Sequence, residues 1–451
     1  MNYEDSVGSL LALGRELAAP QQARVQKFGL ENISVLAADL GSPHSAVPCA
    51  HIAGTNGKGS TAAILESILR SAGLRTGLYT SPHLERINER IRLNGEPVSD
   101  EIFAAAWTRV HASIESLMAS GKLTAHPTYF ECVTAMAFLI FAEQRIDFAV
   151  YEVGLGGRLD STNIIMPEVA IITPIDFDHE NFLGHSIAEI AAEKAGIIKG
   201  GATIISSVTR PEARAVIAEK CTEMAARLLD IEGAWHLEER ASSAGLYQAV
   251  ATSKESGAKL TIAPALPGRF QLRNALAAAT AARVLSEGGR FRVGEKNIER
   301  GVASVTWPGR LERLSENPAI YLDGAHNPSG ARELLEFWQR DLAGRRIILI
   351  YGAMRDKAVD EIAGVLFPHA HTVILTEPRQ PRAISVSLLS EMTAHLASSH
   401  PSIIRDPFQA FEHALELARE NDAIFVTGSL YLVGDLRYHW RTRKLPTPVR
   451  S

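Results

Sequence analysis

Cysteine is scarce: three residues in 451, Cys49, Cys132 and Cys221, far apart and odd in number. No two share the spacing of a metal knuckle, and nothing suggests a disulfide framework, so buried thiols in a reducing compartment are expected. No uncharged apolar run approaches the ~20 residues that span a bilayer, which argues against a membrane helix. The opening Met1-Asn2-Tyr3-Glu4-Asp5 is acidic, and the apolar stretch around Leu10 to Leu13 is short. That fits neither a secretory leader nor an arginine-rich transit peptide. Basic charge is not in excess either. A net charge of -5 speaks against a dedicated nucleic-acid binder. Short-period repeats and low-complexity tracts are also missing. The expectation is a soluble, cytoplasmic protein, monomeric, with neither nucleic acid nor membrane as partner.

What is present is ordinary core material, 46% hydrophobic and 22% charged residues. The length suggests two or three domains at roughly 150 residues each. The chain is organised around Gly54-Thr55-Asn56-Gly57-Lys58-Gly59-Ser60-Thr61. Val47 to Ile52 reads as a short buried strand before it, with Ala53 opening the loop. Ala62, Ile64, Leu65, Ile68 and Leu69 recur at helical spacing after it, with Gly73 as a stop. Strand, glycine loop and helix N-terminus make an anion cradle, in which amide groups and the helix dipole face a phosphate. Lys58 would supply charge to the terminal phosphates, and Ser60 or Thr61 a hydroxyl beside magnesium. The Gly-x-x-Gly-Lys-Gly-Ser-Thr spacing is shorter than the standard phosphate loop, so a plain glycine turn with an exposed lysine stays open at this point.

Helices are expected up to about residue 45, with Leu10, Leu11, Leu13 and Leu17 on one face and a break at Pro20. Arg75 to Thr80 reads as a strand running into Ser81-Pro82-His83-Leu84, and Tyr129 to Glu143 as a buried helix. Asp147 to Gly154 and Val169 to Thr173 are further strands, the second ending at Asp176-Phe177-Asp178-His179. Strands and helices are expected to alternate from Ala202 to about Ala263, and an alanine-rich helix to run from Leu272 to Leu285. A polar joint near Ser286 to Glu299 precedes a second set of strands at Ile320, Ile347, Thr372 and Ala423. The predicted fold is α/β: a mainly parallel phosphate-loop domain over 1–299 and a smaller Rossmann-like α/β domain over 300–451.

Glu152 ends an otherwise apolar strand beside glycines. A buried carboxylate is costly unless paired or bound to metal, and a phosphate-loop protein needs magnesium ligands. His179 closes the next strand, on the edge where the phosphate loop opens. Magnesium prefers oxygen, so a histidine there calls for a further anionic oxygen nearby. Lys194 follows a Ser186-x-x-Glu189 capping box, and a surface ion pair with Glu189 or Glu193 is its plain alternative. Later, Asp323-Gly324-Ala325-His326-Asn327-Pro328 joins a strand to a helix, and Arg310 follows Pro308-Gly309. Acid, histidine and glycine at a strand end resemble a site rather than packing, and Arg310 could reach a phosphate.

These motifs occur in one order. His51 to Ser60, Ser81 to Leu84, Glu152 to Asp160, Glu193 to Ile197 and Asp323 to Pro328 together closely resemble the folylpolyglutamate synthase / dihydrofolate synthase family, a branch of the Mur ligase superfamily. The resemblance runs from about Phe28 to Thr427-Gly428-Ser429-Leu430. It implies an ATP-dependent amide ligase in which an acceptor carboxylate takes the γ-phosphate as an acyl phosphate and the α-amine of L-glutamate then displaces phosphate. The acceptor is a folate, dihydropteroate, or each in turn.

Carried over by residue, the resemblance gives Gly54, Thr55, Asn56, Gly57, Lys58, Gly59, Ser60 and Thr61 to the phosphates, and Asn274, Arg310 and Asp323 to the nucleotide. It gives Ser81 and Glu152 to one magnesium ion, and His179 with Glu152 to a second. Lys194 matches a lysine that is carbamylated, which would supply the missing anionic oxygens. Lys58, Lys194 and His326 are the expected catalytic residues. Thr128, Tyr129, Phe130, Glu131, Leu159, Asp160 and Ser161 match pterin-holding segments, with Phe130 stacking on the heterocycle. Phe28 and Gly29 match part of a lid. A folate-only ligase, a cell-wall precursor ligase of the same superfamily, and a nucleotide switch are the rival readings.

Overall fold

The computed structural model describes residues 1–14, 29–396 and 401–443. The stretch 15–28, with Leu17, Pro20 and Phe28, lies outside the described residues, so the expected helix break and half of the expected lid have no structural account. The chain divides into two compact units. The first comprises Met1–Ser242, Tyr247–Ala265 and Phe270–Thr306; the second comprises Ser243–Leu246, Leu266–Arg269 and Trp307–Ser451.

In the first unit, β1 (Cys49–Ala53), β2 (Thr76–Tyr79), β3 (Ile91–Leu93), β4 (Glu96–Pro97), β5 (Phe148–Glu152), β6 (Val169–Ile172), β7 (Thr203–Ser206) and β8 (Arg227–Asp230) form one sheet. Its eight strands run in the order β4-β3-β2-β5-β1-β6-β7-β8. All neighbours are parallel except at the β2–β3–β4 edge. β1, β2, β5 and β6 are buried along their whole length, as strands with helices on both faces must be. The helix Tyr129–Glu143 is apolar almost all round and is buried accordingly. Its Phe138 meets Tyr151 edge-on at 5.3 Å, which anchors the helix to β5. Cys49, Cys132 and Cys221 are free and buried, and burial raises all three thiols above their ordinary range.

The sequence reading differs from the structure in two places. Residues 235–262 do not alternate strand with helix. They form an antiparallel meander of β9 (Trp235–Ser243), β10 (Leu246–Ser253) and β11 (Lys259–Ile262). Burial alternates along β10, the period-two signature of a half-exposed strand. The expected joint at 286–299 is also displaced. Glu295–Ser304 is a helix of the first unit, burying Ile298, Gly301 and Val302. Ser71 Oγ donates to the Asn297 carbonyl at 2.5 Å and Ser67 Oγ to that of Gly301 at 2.8 Å, fixing this helix to Lys58–Ser71. The unit therefore runs through Thr306, past the expected boundary at 299/300.

The second unit has β12 (Glu312–Glu316), β13 (Ala319–Leu322), β14 (Ile347–Tyr351), β15 (Thr372–Leu375), β16 (Ser402–Ile403) and β17 (Ala423–Thr427). These six strands take the order β12-β13-β17-β14-β15-β16, parallel except for β12. Tyr321 and Phe425 stack at 4.8 Å across β13 and β17.

Candidate functional site

β1 delivers the chain into the loop Gly54–Gly57, and the helix Lys58–Ser71 starts on Gly57, which has φ 83°. A side chain on Gly57 would strike the amide of Asn274, so the left-handed turn and the close approach both require glycine. The loop is held from below by the segment after β6. The amides of Thr55 and Asn56 both donate to the Pro174 carbonyl, at 2.9 and 3.3 Å. Lys58 Nζ donates to the Thr55 carbonyl at 3.1 Å. Asn274 comes from the alanine-rich helix, here Phe270–Glu287. Its Nδ2 donates to Gln271 Oε1 at 2.9 Å, and Gln271 Nε2 lies 3.4 Å from Ser60 Oγ. Gln271, fully buried, has no place among the residues expected from the sequence. A glutamine one helical turn before Asn274 on an otherwise small-residue face is the signal that points to it.

Lys194 is not a surface lysine. Only 4% of it is exposed, and its Nζ donates to the Gly54 carbonyl at 2.9 Å. Burial, and then the nearby charge of Lys58, push its pKa down to about 7, against weaker upward pulls from Asp178, Asp160 and Glu193. Those groups place the amine among the phosphate loop, the segment after β6 and the loop after β5. Glu152 ends β5 buried, and the Ser81 amide donates to its Oε2 at 3.2 Å. The capping box expected at Ser186 and Glu189 is present and frees neither residue to pair with Lys194. His179 begins a short helix with φ 52°, its amide donating to Asp178 Oδ1 at 2.9 Å. Among the described residues no group of three or more His, Cys, Asp or Glu side chains is gathered for a metal. The Lys194 amine, the Glu152 carboxylate and the Ser81 hydroxyl would suit magnesium only if the amine is converted to an anion and phosphate oxygens complete the shell.

The pterin-type segments lie on the neighbouring loops. Thr128 caps the helix Tyr129–Glu143, and Glu131 reaches back to accept from the Thr128 amide at 2.7 Å. Arg90 lies over the Tyr129 ring at 5.5 Å. Phe130 rests against Gly154, where any side chain would collide with its ring. Asp160 is buried and turned inward. Its Oδ2 accepts from the Gly154 and Leu155 amides at 2.9 Å each, and its Oδ1 from the Thr162 amide at 3.0 Å. Ser161 is buried, Leu159 and Gly29 partly so.

In the second unit, Asp323 is buried where β13 ends. Its Oδ2 accepts from the Leu311 amide and its Oδ1 from the Ala325 amide, each at 2.8 Å. Burial raises its pKa, while Arg310 and these amides pull the other way. Arg310 Nη1 donates to the Gly309 carbonyl at 3.0 Å. His326 Nδ1 lies 2.7 Å from the Gly324 carbonyl and donates to it, which fixes the orientation of the ring. Asn327 then caps the helix Pro328–Asp341.

A phosphate loop with a buried second lysine, followed by an independent α/β unit, is the layout of an ATP-dependent ligase. The Mur ligase middle domain family matches residues 52–282, and the Mur ligase glutamate ligase domain matches 309–430. The chain belongs to the folylpolyglutamate synthase / dihydrofolate synthase branch of the Mur ligases. It is 38% identical to the dihydrofolate synthase/folylpolyglutamate synthase of Bacillus subtilis, over 91% of this chain and 94% of that one. It is 35% identical to the Escherichia coli protein of the same name, over 90% of each. Mycobacterium tuberculosis folylpolyglutamate synthase complexed with ADP and AMPPCP superposes with a TM-score of 0.85 at 31% identity, covering 98% of this chain and 100% of that one. Escherichia coli FolC in complex with DHPP and ADP gives 0.83 at 29%, with 97% of each chain covered.

Proposed function

We propose that this chain joins the α-amine of L-glutamate to a folate carboxylate, extending tetrahydrofolate polyglutamates, and to dihydropteroate, making dihydrofolate. The first unit binds ATP and the pterin, and the second is the glutamate-ligase-type unit of the same reaction. The acceptor carboxylate attacks the γ-phosphorus and ADP leaves. The glutamate amine then attacks the acyl phosphate carbon, an amide forms and phosphate departs. One solved relative is complexed with ADP and AMPPCP and another with DHPP and ADP, which supports a nucleotide and an acceptor of the second kind as substrates.

The observation that carries this reading is the buried Lys194 amine beside the phosphate loop. At neutral pH much of it is uncharged, the form that adds to carbon dioxide and releases a proton to give a carbamate. With that modification, Ser81, Glu152, His179 and the carbamate would hold Mg2+ at two sites. The metal supplies neutralisation of phosphate charge. Lys58 and the amides of Gly57 to Ser60 orient the γ-phosphate. Asn274 holds the nucleotide, and Arg310 and Asp323 are the nucleotide residues of the second unit. His326 contacts phosphate or nucleotide. Phe130 stacks on the pterin, with Thr128, Tyr129, Glu131, Leu159, Asp160, Ser161 and Gly29 around it.

The enzyme is read as a cytoplasmic monomer acting on small molecules, without nucleic acid or membrane. Among the described residues no helix is long and apolar enough to cross a membrane. The test offers purified protein ATP, Mg2+ and glutamate with dihydropteroate, tetrahydrofolate or a UDP-linked muramyl acceptor. Phosphate release with a pterin glutamate product is expected for the first two. Product from the muramyl acceptor alone, or phosphate release without any amide, overturns the reading.

A further inference from the structure

His51 lies in the middle of β1, three residues before the phosphate loop opens, opposite Tyr151 of β5 and Ala170 of β6. It is fully buried. A histidine at such a position is costly unless its nitrogens are used. Its Nε2 lies 2.8 Å from Thr162 Oγ1, and its Nδ1 meets no partner among the described residues. Thr162 Oγ1 lies 2.5 Å from Asp160 Oδ1.

The direction of the chain follows from counting protons. Four groups donate to the Asp160 carboxylate: the amides of Gly154, Leu155 and Thr162, and the Thr162 hydroxyl. Burial raises the Asp160 pKa, and these four bonds pull it back. Four donors on two oxygens match an ionised carboxylate that accepts only. The single Thr162 hydroxyl proton therefore points at Asp160, and His51 Nε2–H must donate to the Thr162 oxygen. Burial holds the ring neutral, its pKa pushed down to about 3, so Nδ1 keeps a bare lone pair. The histidine is fixed in one tautomer by one hydrogen bond.

From this geometry we infer that His51 is a positioning residue for the acceptor, acting through Thr162 and Asp160 on the Gly154–Leu155 turn against which Phe130 rests. Asp160 is gripped from the β1 side and in turn grips the two amides that follow the Glu152 strand end. Each bond polarises the next, so the chain is stiffer than its separate links. The strand that presents ATP and the turn that seats the pterin are thereby set by one run of hydrogen bonds. This rests on the proposed pterin role of the Phe130 face.

The test compares His51→Leu, His51→Gln and Thr162→Val in the full chain. Leucine removes the donor; glutamine offers an amide N–H near the Nε2 position. Amide exchange at Gly154 and Leu155 is read by mass spectrometry, and KM for tetrahydrofolate and for ATP by steady-state kinetics. His51→Leu and Thr162→Val should each speed exchange at both amides about tenfold and raise the folate KM by a similar factor, with the ATP KM within about twofold. His51→Gln should recover most of both effects. The double variant H51L/T162V should add little to either single change. Equal rises in both KM values, unchanged exchange, additive effects or no recovery with glutamine would each overturn the inference. If His51→Leu does not fold, Thr162→Val carries the test with a near-isosteric side chain. Should the wild type use no pterin, the proposed function fails, and amide exchange still decides the role of His51.

Discussion

Lys194 Nζ donates to the carbonyl oxygen of Gly54 at 2.9 Å, across 140 residues of sequence. The amine of one helix is thus laid on the first turn of the phosphate loop, where Lys58 is already a neighbour in charge. The buried Lys194 amine, with the half-buried Lys58 as its neighbour in charge, is held toward its neutral form.

Substitution of Lys194 by alanine should abolish most turnover while the nucleotide still binds, with partial recovery on adding short carboxylates such as acetate. Intact-mass measurement of the wild type in bicarbonate should show the carbamate, and an unmodified amine in an active sample would refute it.

The pH dependence has a definite sign. Below about pH 7 the Lys194 amine takes up a proton and cannot add to carbon dioxide, so activity should fall as pH drops through that value and bicarbonate should offset the loss. For the unmodified protein, the unfolded chain keeps a proton between about 7 and the ordinary 10.5 that the folded chain has lost. Its stability from this group should therefore rise with pH across that window, which denaturant titrations at several pH values will read.

Lys58→Ala should lower ATP-dependent turnover by roughly two or more orders of magnitude with little change in melting temperature, because the side chain acts on phosphate charge. Wild-type turnover in this variant would remove Lys58 from the phosphate site.

Gly154→Ala places a methyl group in the Phe130 ring. It should cost about 1–3 kcal/mol of stability as overpacking and raise the acceptor KM. Phe130→Ala in the same chain should relieve the stability loss but not the KM, a split that a melting curve and a tetrahydrofolate titration will resolve.

Asp323→Ala leaves the amides of Leu311 and Ala325 without their acceptor. The expected cost is about 1–3 kcal/mol for each amide left buried and unsatisfied, less where water enters. Loss of stability with an unchanged ATP KM would show the carboxylate to be structural alone.

Local pattern carries much of this architecture. The helix Tyr129–Glu143 is readable to the residue because Thr128 and Glu131 spell its cap and the apolar run has no break. β5, β6 and the later parallel strands are legible as short apolar runs. The meander of β9 to β11 escapes such reading because its strands are half polar, and such sequence fits short amphipathic helices as well. The Glu295–Ser304 helix reads as a joint since its exposed side is charged; only Ile298, Gly301 and Val302 betray a buried side. Of the site, Lys58 announces itself between two glycines at a helix start, and Glu152 and Asp323 by standing at strand ends with a glycine within two residues. Lys194 does not, because helical spacing alone cannot distinguish a solvated lysine from one turned inward. His51 and Thr162 stay hidden for a related reason: their pairing joins segments distant in sequence.

The seam between the helices Glu295–Ser304 and Lys58–Ser71 decides where the protein can be cut. A fragment ending before Glu295 would strip Ser67 and Ser71 of their carbonyl acceptors and bare the back of the phosphate-loop helix. One carried through Thr306 keeps that seam closed. Any attempt to excise the ATP-binding half as a free-standing piece should therefore place its end after Thr306, and treat the shorter version as a different, weaker molecule.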